Sequence, residues 1–209
     1  MTNDEQQTTV VTTPSDREIV SERVFDAPRE RVFAAYTDPE LIPQWWGPRG
    51  ATTIVDQMDV RPGGAWRFVH RDSNGDETGF RGTYREVTPP ERIVQTFEWE
   101  GMPGHVIVET ATFEDLGGRT KVTATSLFHT TEERDGMLAS GMESGLSETH
   151  DRLAELLAKL GGRTPAHAAR GRGRALSRRP GRRPAGTHTR VSFARLAQPS
   201  GRRPGSLAS

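Results

Sequence analysis

The sequence predicts an α+β helix-grip fold: a curved antiparallel sheet wrapped around a long C-terminal helix, with two short helices after the first strand. Three observations carry this prediction. Between Ala51 and His129, six short runs of strand-like character are separated by turn signals, and no helical period interrupts them. Beyond them, Leu138, Met142, Leu146, Thr149, Leu153, Leu156 and Leu160 recur at steps of three and four, which is the spacing of one helix face. Ahead of them, a single strand-like run leads into a short helical stretch that ends in two adjacent tryptophans.

The first strand is expected in "REIVSERVFDAP", from Arg17, which is rich in β-branched and aromatic residues and stops where Pro28 can open a helix. "PRERVFAAYTD" then spaces Val32, Phe33 and Tyr36 as a short amphipathic helix. Asp38-Pro39 ends it and begins a second helical turn that runs into Trp45-Trp46 and breaks at Gly47-Pro48. The six strands follow in "TTIVDQMDV", "AWRFVHR", "ETGFRGTYREV", "RIVQTFEWE", "HVIVETATFED" and "RTKVTATSLFH", joined by Gly-, Pro- and Asp-rich turns as an antiparallel meander. A single helix is expected over residues 131 to 160, stopped by Gly161-Gly162.

Composition divides the chain into three parts. Residues 1–15 are polar and Thr-rich and read as a disordered leader; residues 16–162 form the folded domain; residues 163–209 read as a disordered Arg/Pro/Gly-rich tail that cannot bury enough apolar surface to order itself. The formal charge of zero conceals an asymmetry. Residues 161–209 hold 12 of the 28 basic residues and none of the 28 acidic ones, leaving 16 basic against 28 acidic in residues 1–160. The absence of cysteine excludes disulfides, thiolate metal sites and a thiol nucleophile. No signal peptide and no apolar run long enough to span a bilayer is present, so a cytoplasmic location without membrane partners is expected.

If the sheet curls around the helix, a cavity opens between them, and strand alternation names its walls. Trp66, Phe68 and His70 share one face of a strand, Phe80 and Tyr84 a face of the next, and Phe97 and Trp99 a face of a third. Met142 and Leu146 close the space from the helix, and of the adjacent Trp45 and Trp46 one can turn inward and the other stand at the rim, with Trp46 taken as the ligand contact. A mostly apolar wall with a few polar groups suits a small apolar or aromatic ligand, although the same aromatic alternation also builds a plain core. Structural anchoring is the expected role of the tryptophan pair. His70, His105, His129 and His150 show no metal-ligand spacing, and no nucleophile motif stands in a strand-turn-helix context. No cofactor, metal or catalytic residue is therefore assigned. Arg67, Arg71, Arg81 and Arg85 beside Glu77 and Glu86 read as a solvated ion-pair ladder on the opposite face of the sheet.

The stretches "VFDAPRERVFAAYTDPELIPQWWGP", "PGGAWRF", "FRGTYREVTPPERIVQTFEWEG" and "SGMESGLSETHDRLAELLAKL" resemble the heat-shock-protein-90 ATPase activator homologue-like branch of the START/birch-allergen-like (polyketide cyclase-like) superfamily. The resemblance runs in order over about residues 17 to 160 and implies the same helix-grip fold. It implies a protein that binds hydrophobic or aromatic molecules in the grip cavity. Two alternatives stay open: a cyclase- or hydrolase-like enzyme using Glu98, Tyr84 or His70, for which a buried carboxylate with a raised pKa is the sign, and a co-chaperone-like protein-interaction module. Self-association into a homodimer is also left open. Nucleic acid is not expected as a partner beyond weak contact through the basic tail.

The resemblance stops at about Leu160 to Gly162, and the acid-free stretch beyond it is read as the translation of a shifted frame in GC-rich DNA, the other reading being a functional basic tail. Sequencing the codons for Leu160 to Arg170 in independent isolates is expected to show a frame change; an intact frame throughout counts for the functional tail.

Overall fold

In the computed structural model, residues 8–162 are described, and the expected tail and the first seven residues of the expected leader lie outside them. The strands are β1 (Val10–Thr12), β2 (Glu18–Phe25), β3 (Thr52–Met58), β4 (Ala65–Arg71), β5 (Glu77–Thr88), β6 (Arg92–Trp99), β7 (Val106–Asp115) and β8 (Thr120–Leu127). They form one antiparallel sheet in the order β1-β2-β8-β7-β6-β5-β4-β3. From β3 to β8 the chain is a simple meander, and β2 reaches the far side to pair with β8, Phe25 opposite Thr120 and Glu18 opposite Leu127. Four helices cover one face: α1 (Arg29–Thr37), α2 (Ile42–Trp45), α3 (Thr131–Ala139) and α4 (Met142–Gly161).

Two expectations are corrected here. Part of the stretch expected to be a disordered leader is strand β1, whose Val10, Val11 and Thr12 pair with Glu22, Ser21 and Val20. Those β-branched residues suit an edge strand, and the open hydrogen-bonding edge of β2 supplies the partner. The single helix expected over residues 131–160 is two, broken at Ser140-Gly141. Gly141 has a φ of 79°, a left-handed value that ends one helix and starts the next in a new direction. The leucine periodicity continues across this break, which is why spacing alone does not reveal it. α3 opens with Thr130, whose hydroxyl accepts from the backbone N–H of Glu133 at 3.2 Å, yet it has no buried residue.

α4 lies across the concave face of the sheet. Leu153, Leu156 and Leu157 are buried there against Phe25, Val32, Phe33, Phe113 and Val122, each contributing about 2 kcal/mol of burial relative to exposure. A smaller apolar cluster of Ile19, Ile107 and Phe128 sits under α3, with Met137, Leu138 and Met142 packed on its edge. On the convex face, Arg67 pairs with Glu100 at 2.7 Å, Arg81 with Glu98 at 2.7 Å and Arg71 with Glu77 at 2.6 Å; of the expected acids Glu77 takes part as read, whereas Glu86 pairs with Arg92 at 3.5 Å and Glu98 and Glu100 stand in the ladder.

The tryptophan corner ties α4 to the sheet. Trp45 is buried, its indole N–H donating to the Ala35 carbonyl at 2.9 Å and its ring 4.7 Å from that of Tyr36. Trp46 turns the other way and packs its ring on Phe68, His70 and Phe80, with centroids 5.1, 4.6 and 5.3 Å away. Gly47 follows with a φ of 88°, and a Cβ there would run into the His70 ring. Arg152 of α4 reaches this corner and donates to the carbonyls of Gly47 at 2.6 Å and Pro48 at 3.1 Å, with longer contacts to Trp46, Pro43 and Gln44.

Truncating Arg152 leaves these carbonyls without their charged donor. Arg152→Ala is expected to lower stability by about 2–3 kcal/mol, and Arg152→Lys to restore only part of it, because a single ammonium cannot span the fan. Urea unfolding of the two variants beside the parent measures both.

A candidate cavity between sheet and helix

Among the described residues, two partly open cavities lie between the sheet and the C-terminal helices. The inner one, about 160 Å³, is walled by Trp45 and Trp46 from the corner, Tyr36 from α1, Phe68, Tyr84 and Ile93 from the sheet, and Leu146, Thr149 and His150 from α4. The outer one, about 520 Å³, lies beneath α3 and is walled by Phe97, Trp99, Ile107 and Phe128 with Met137 and Gly136 of the helix. The His105–Glu133 contact at 2.8 Å stands among its walls and joins the β6–β7 turn to α3.

Strand register explains how the two are related. Across neighbouring strands, Tyr84 is opposite Gln95, Gln95 opposite Glu109, and Glu109 opposite Ser126, so that one polar row runs over four strands, and all four residues line the inner cavity. One pair along the same strands, Phe97 is opposite Ile107, and both line the outer cavity. Two residues of strand span roughly 7 Å. The cavities therefore sit end to end along β6 and β7. On the other side of the polar row, Ile93, Ala111 and Ala124 form a second apolar row.

The expected wall residues divide accordingly. Trp46, Phe68, Tyr84 and Leu146 line the inner cavity, and Phe97 and Trp99 the outer one. Trp66, His70, Phe80 and Met142 line neither. Trp66 is buried behind Phe68, 4.9 Å between centroids, against the close backbone of Gly82. His70 and Phe80 stack beneath Trp46, and Met142 packs on the Ile19–Ile107–Phe128 cluster. Alternation put these side chains on the correct face, but β4 and the start of β5 lie under the tryptophan corner, which fills the space.

Of the three residues considered for catalysis, only Tyr84 faces a cavity. Glu98 points to the convex side, where Arg81 at 2.7 Å and the Gly104 N–H at 2.7 Å hold its pKa below the usual carboxylate range. His70 is lowered to about 4 by burial and then by the nearby Arg152 charge.

The residue that the sequence reading missed is Glu109. Its signal was present in "HVIVETATFED": Ile107, Glu109, Ala111 and Phe113 alternate on one face, so a carboxylate stands in an apolar row. Burial raises its pKa, opposed by the Gln95 amide, which donates to Oε2 at 3.1 Å. Burial also raises the hydroxyl pKa of Tyr36, with the Glu109 charge adding to it, and that of Tyr84. His150 is lowered to about 4 by burial and by Arg23, which itself pairs with Asp151 at 2.7 Å. In all four groups the shift favours the uncharged form. Among the described residues, no group of three or more His, Asp or Glu side chains is arranged to hold a metal ion, and no helix is long and apolar enough to cross a membrane.

An open antiparallel sheet closed by a C-terminal helix over an internal cavity defines a helix-grip protein. Residues 26–158 match the family described as Activator of Hsp90 ATPase homolog 1-like protein, and the chain belongs to that family. A crystal structure of a Rhodobacter sphaeroides protein is similar at 26% identity with a TM-score of 0.69, covering 73% of this chain and 99% of that one. The AHSA1 protein from Silicibacter pomeroyi shares the fold at 24% identity with a TM-score of 0.57, over 68% of this chain and 99% of that one. An uncharacterized Schizosaccharomyces pombe protein is 29% identical over 97 residues, 46% of this chain; the match spans a quarter of the yeast protein's length (25%).

The buried groups give opposite pH slopes. His150 binds its proton less tightly folded than unfolded, so its contribution is complete above about pH 6.5 and is lost as pH falls toward about 4, at most about 3 kcal/mol. Glu109 binds its proton more tightly folded, so its contribution is present at low pH and is lost as pH rises through its raised pKa. Urea midpoints measured from pH 4 to 9 are expected to show Glu109→Gln more stable than the parent on the alkaline side and His150→Gln with a flatter acid limb.

Proposed function

We propose that the chain binds a small apolar or aromatic molecule in the space between its sheet and its C-terminal helix. The observation that carries this reading is the unfilled volume itself. Clefts of about 160 and 520 Å³, both partly open to solvent, lie in line along a single pair of strands, and mostly apolar concavities of this size suit a small molecule. The family's helix-grip architecture supports the same reading, and the walls are of the mixed kind that small-molecule sites use: mainly aliphatic and aromatic, with few polar groups. The outer cavity is roofed by a helix without buried residues that is joined to α4 through the left-handed Gly141, an arrangement suited to admitting a ligand. The exposed Trp99 and Met102 beside it extend the apolar surface outward.

A second reading, a cyclase- or hydrolase-like enzyme acting in the same cavity, is favoured by one observation: the raised pKa of Glu109 in an apolar wall. Glu109 takes the place in that reading that Glu98 held in the sequence.

Gly136 lines the outer cavity and has open space where a Cβ would stand, so a large side chain there fills the cavity without disturbing a packed core. Titration with N-phenyl-1-naphthylamine, a neutral apolar fluorophore, is expected to give saturable, blue-shifted emission. Gly136→Trp is expected to weaken it at least about tenfold, a loss comparable to removing one well-placed side-chain contact. Equal binding by parent and variant would place the probe outside the grip and remove the support for this reading.

A further inference from the structure

The polar row across the sheet says what kind of atom the inner cavity is built to meet. Gln95 spends its amide on Glu109 Oε2 at 3.1 Å, and among the described residues Oε1 has no partner. The Tyr36 and Tyr84 hydroxyls likewise have no hydrogen-bond partner among the described residues, though both side chains line this cavity. Every group facing Glu109 is neutral: Tyr36 from α1, Tyr84 from β5, Gln95 from β6, Ser126 from β8, and Thr149 and His150 from α4. Arg23, behind His150 on β2, is engaged by Asp151 at 2.7 Å. With no cation beside it, the raised pKa favours the protonated carboxyl, in which Oε2 accepts from Gln95 and the hydroxyl on Oε1 is a donor. Tyr36 lines the same cavity, and as a phenol it donates as well.

Two uncharged O–H donors on one small apolar cavity call for an uncharged acceptor. An ammonium ligand would require Glu109 to ionise, and a carboxylate ligand would enter a low-dielectric site with no cation to receive it. Building on the binding reading above, we infer that the cavity recognises an apolar carbonyl compound, whose oxygen accepts hydrogen bonds from Glu109 and Tyr36 while its hydrocarbon body extends along β6 and β7 toward Phe97 and Ile107. A hydrocarbon of the same shape displaces water from these donors and gives nothing back, which is how a site built from hydrogen-bonding groups discriminates against an analogue lacking the polar atom.

The test is competition against N-phenyl-1-naphthylamine by three probes of matched shape: 2-acetylnaphthalene, 2-isopropylnaphthalene and 2-naphthylmethylamine. The ketone is expected to bind about tenfold or more tightly than the isopropyl compound, and to lose that advantage in Glu109→Leu and in Tyr36→Phe. Glu109→Gln, which keeps a donor and cannot ionise, provides the control for folding. In the parent the ketone's advantage falls as pH rises through the Glu109 titration, whereas in Glu109→Gln it is independent of pH. The pH-independence expected of Glu109→Gln assigns the slope to Glu109 rather than to His150 or the two tyrosines. Equal affinity for ketone and hydrocarbon would overturn the inference and leave the binding reading standing. Tightest binding by the amine, strengthening with pH, would make Glu109 a counter-ion and overturn the inference too. Failure of all three to displace the fluorophore overturns it and, if the fluorophore itself does not bind, takes the binding reading with it.

Discussion

The guanidinium of Arg152 is the contact on which the arrangement of the cavity walls depends. It projects from α4 into carbonyls at the end of α2, where a terminating helix leaves acceptors without intrahelical partners. Two of its contacts, to Gly47 at 2.6 Å and Pro48 at 3.1 Å, are short, and the others complete a fan that only a planar, many-donor group can serve. Burial lowers its pKa, with the neighbouring Arg49 charge adding to the effect, but a guanidinium remains charged at any pH the protein meets. The corner it holds contains both Trp45 and Trp46. Fixing α4 against these carbonyls therefore fixes the helix and the aromatic wall in one step, and Arg49, paired with Glu155 at 2.6 Å, repeats the connection one turn further along.

The inner cavity follows from where that anchor lies on the helix. From Leu153 onward α4 is packed against the sheet, and Leu153, Leu156 and Leu157 are all buried. The preceding turns, carrying Leu146, Thr149 and His150, pass over Ala111 and Ala124 of one row and Ser126 of the next, whose small side chains leave the space open. Before that, Gly141 redirects the chain, and α3 roofs the outer end without burying a side chain of its own. One half of the helix supplies the fold's core, and the other half bounds the open space. A collapse of the helix onto the sheet is opposed by the corner, because moving α4 inward would break the Arg152 contacts.

Much of this was legible in the sequence. The six meander strands, the two short helices and the face of the sheet that carries the aromatics all follow from period-two and period-3.6 patterns and from Pro and Gly punctuation. What escaped is information that periodicity does not carry. The break at Gly141 was hidden because leucine spacing continues across it. β1 was hidden because three β-branched residues in a polar leader become a strand only when a neighbouring edge offers hydrogen bonds. Trp66, His70 and Phe80 were placed on the right face but not under the right neighbour, since which part of a concave sheet the tryptophan corner covers is a matter of tertiary packing. Glu109 is the instructive miss. Attention went to the aromatic residues of each strand, while the single carboxylate in an apolar alternation, Ile107–Glu109–Ala111–Phe113, was passed over. Glu98 was considered instead, one register position away from the inner face of β6.

Glu109 runs against the rest of the wall. Its neighbours along the strand on this face are Ile107 and Ala111, and a leucine or methionine in its place would fill part of the void with no polar group to desolvate. Nor does the sheet need it, since backbone pairing of β7 with β6 and β8 continues past it in both directions. Its side-chain hydrogen bond among the described residues, from Gln95, is made by a residue that is equally polar on the same face, so the pair compensates for itself but not for the space beside it. A carboxyl that lines open volume beside two phenols without a hydrogen-bond partner among the described residues is a local departure from what packing would select. Departures of that kind mark the places where a sequence answers to something other than its own stability, and here the departure, the void and the small residues around it occupy the same part of the fold.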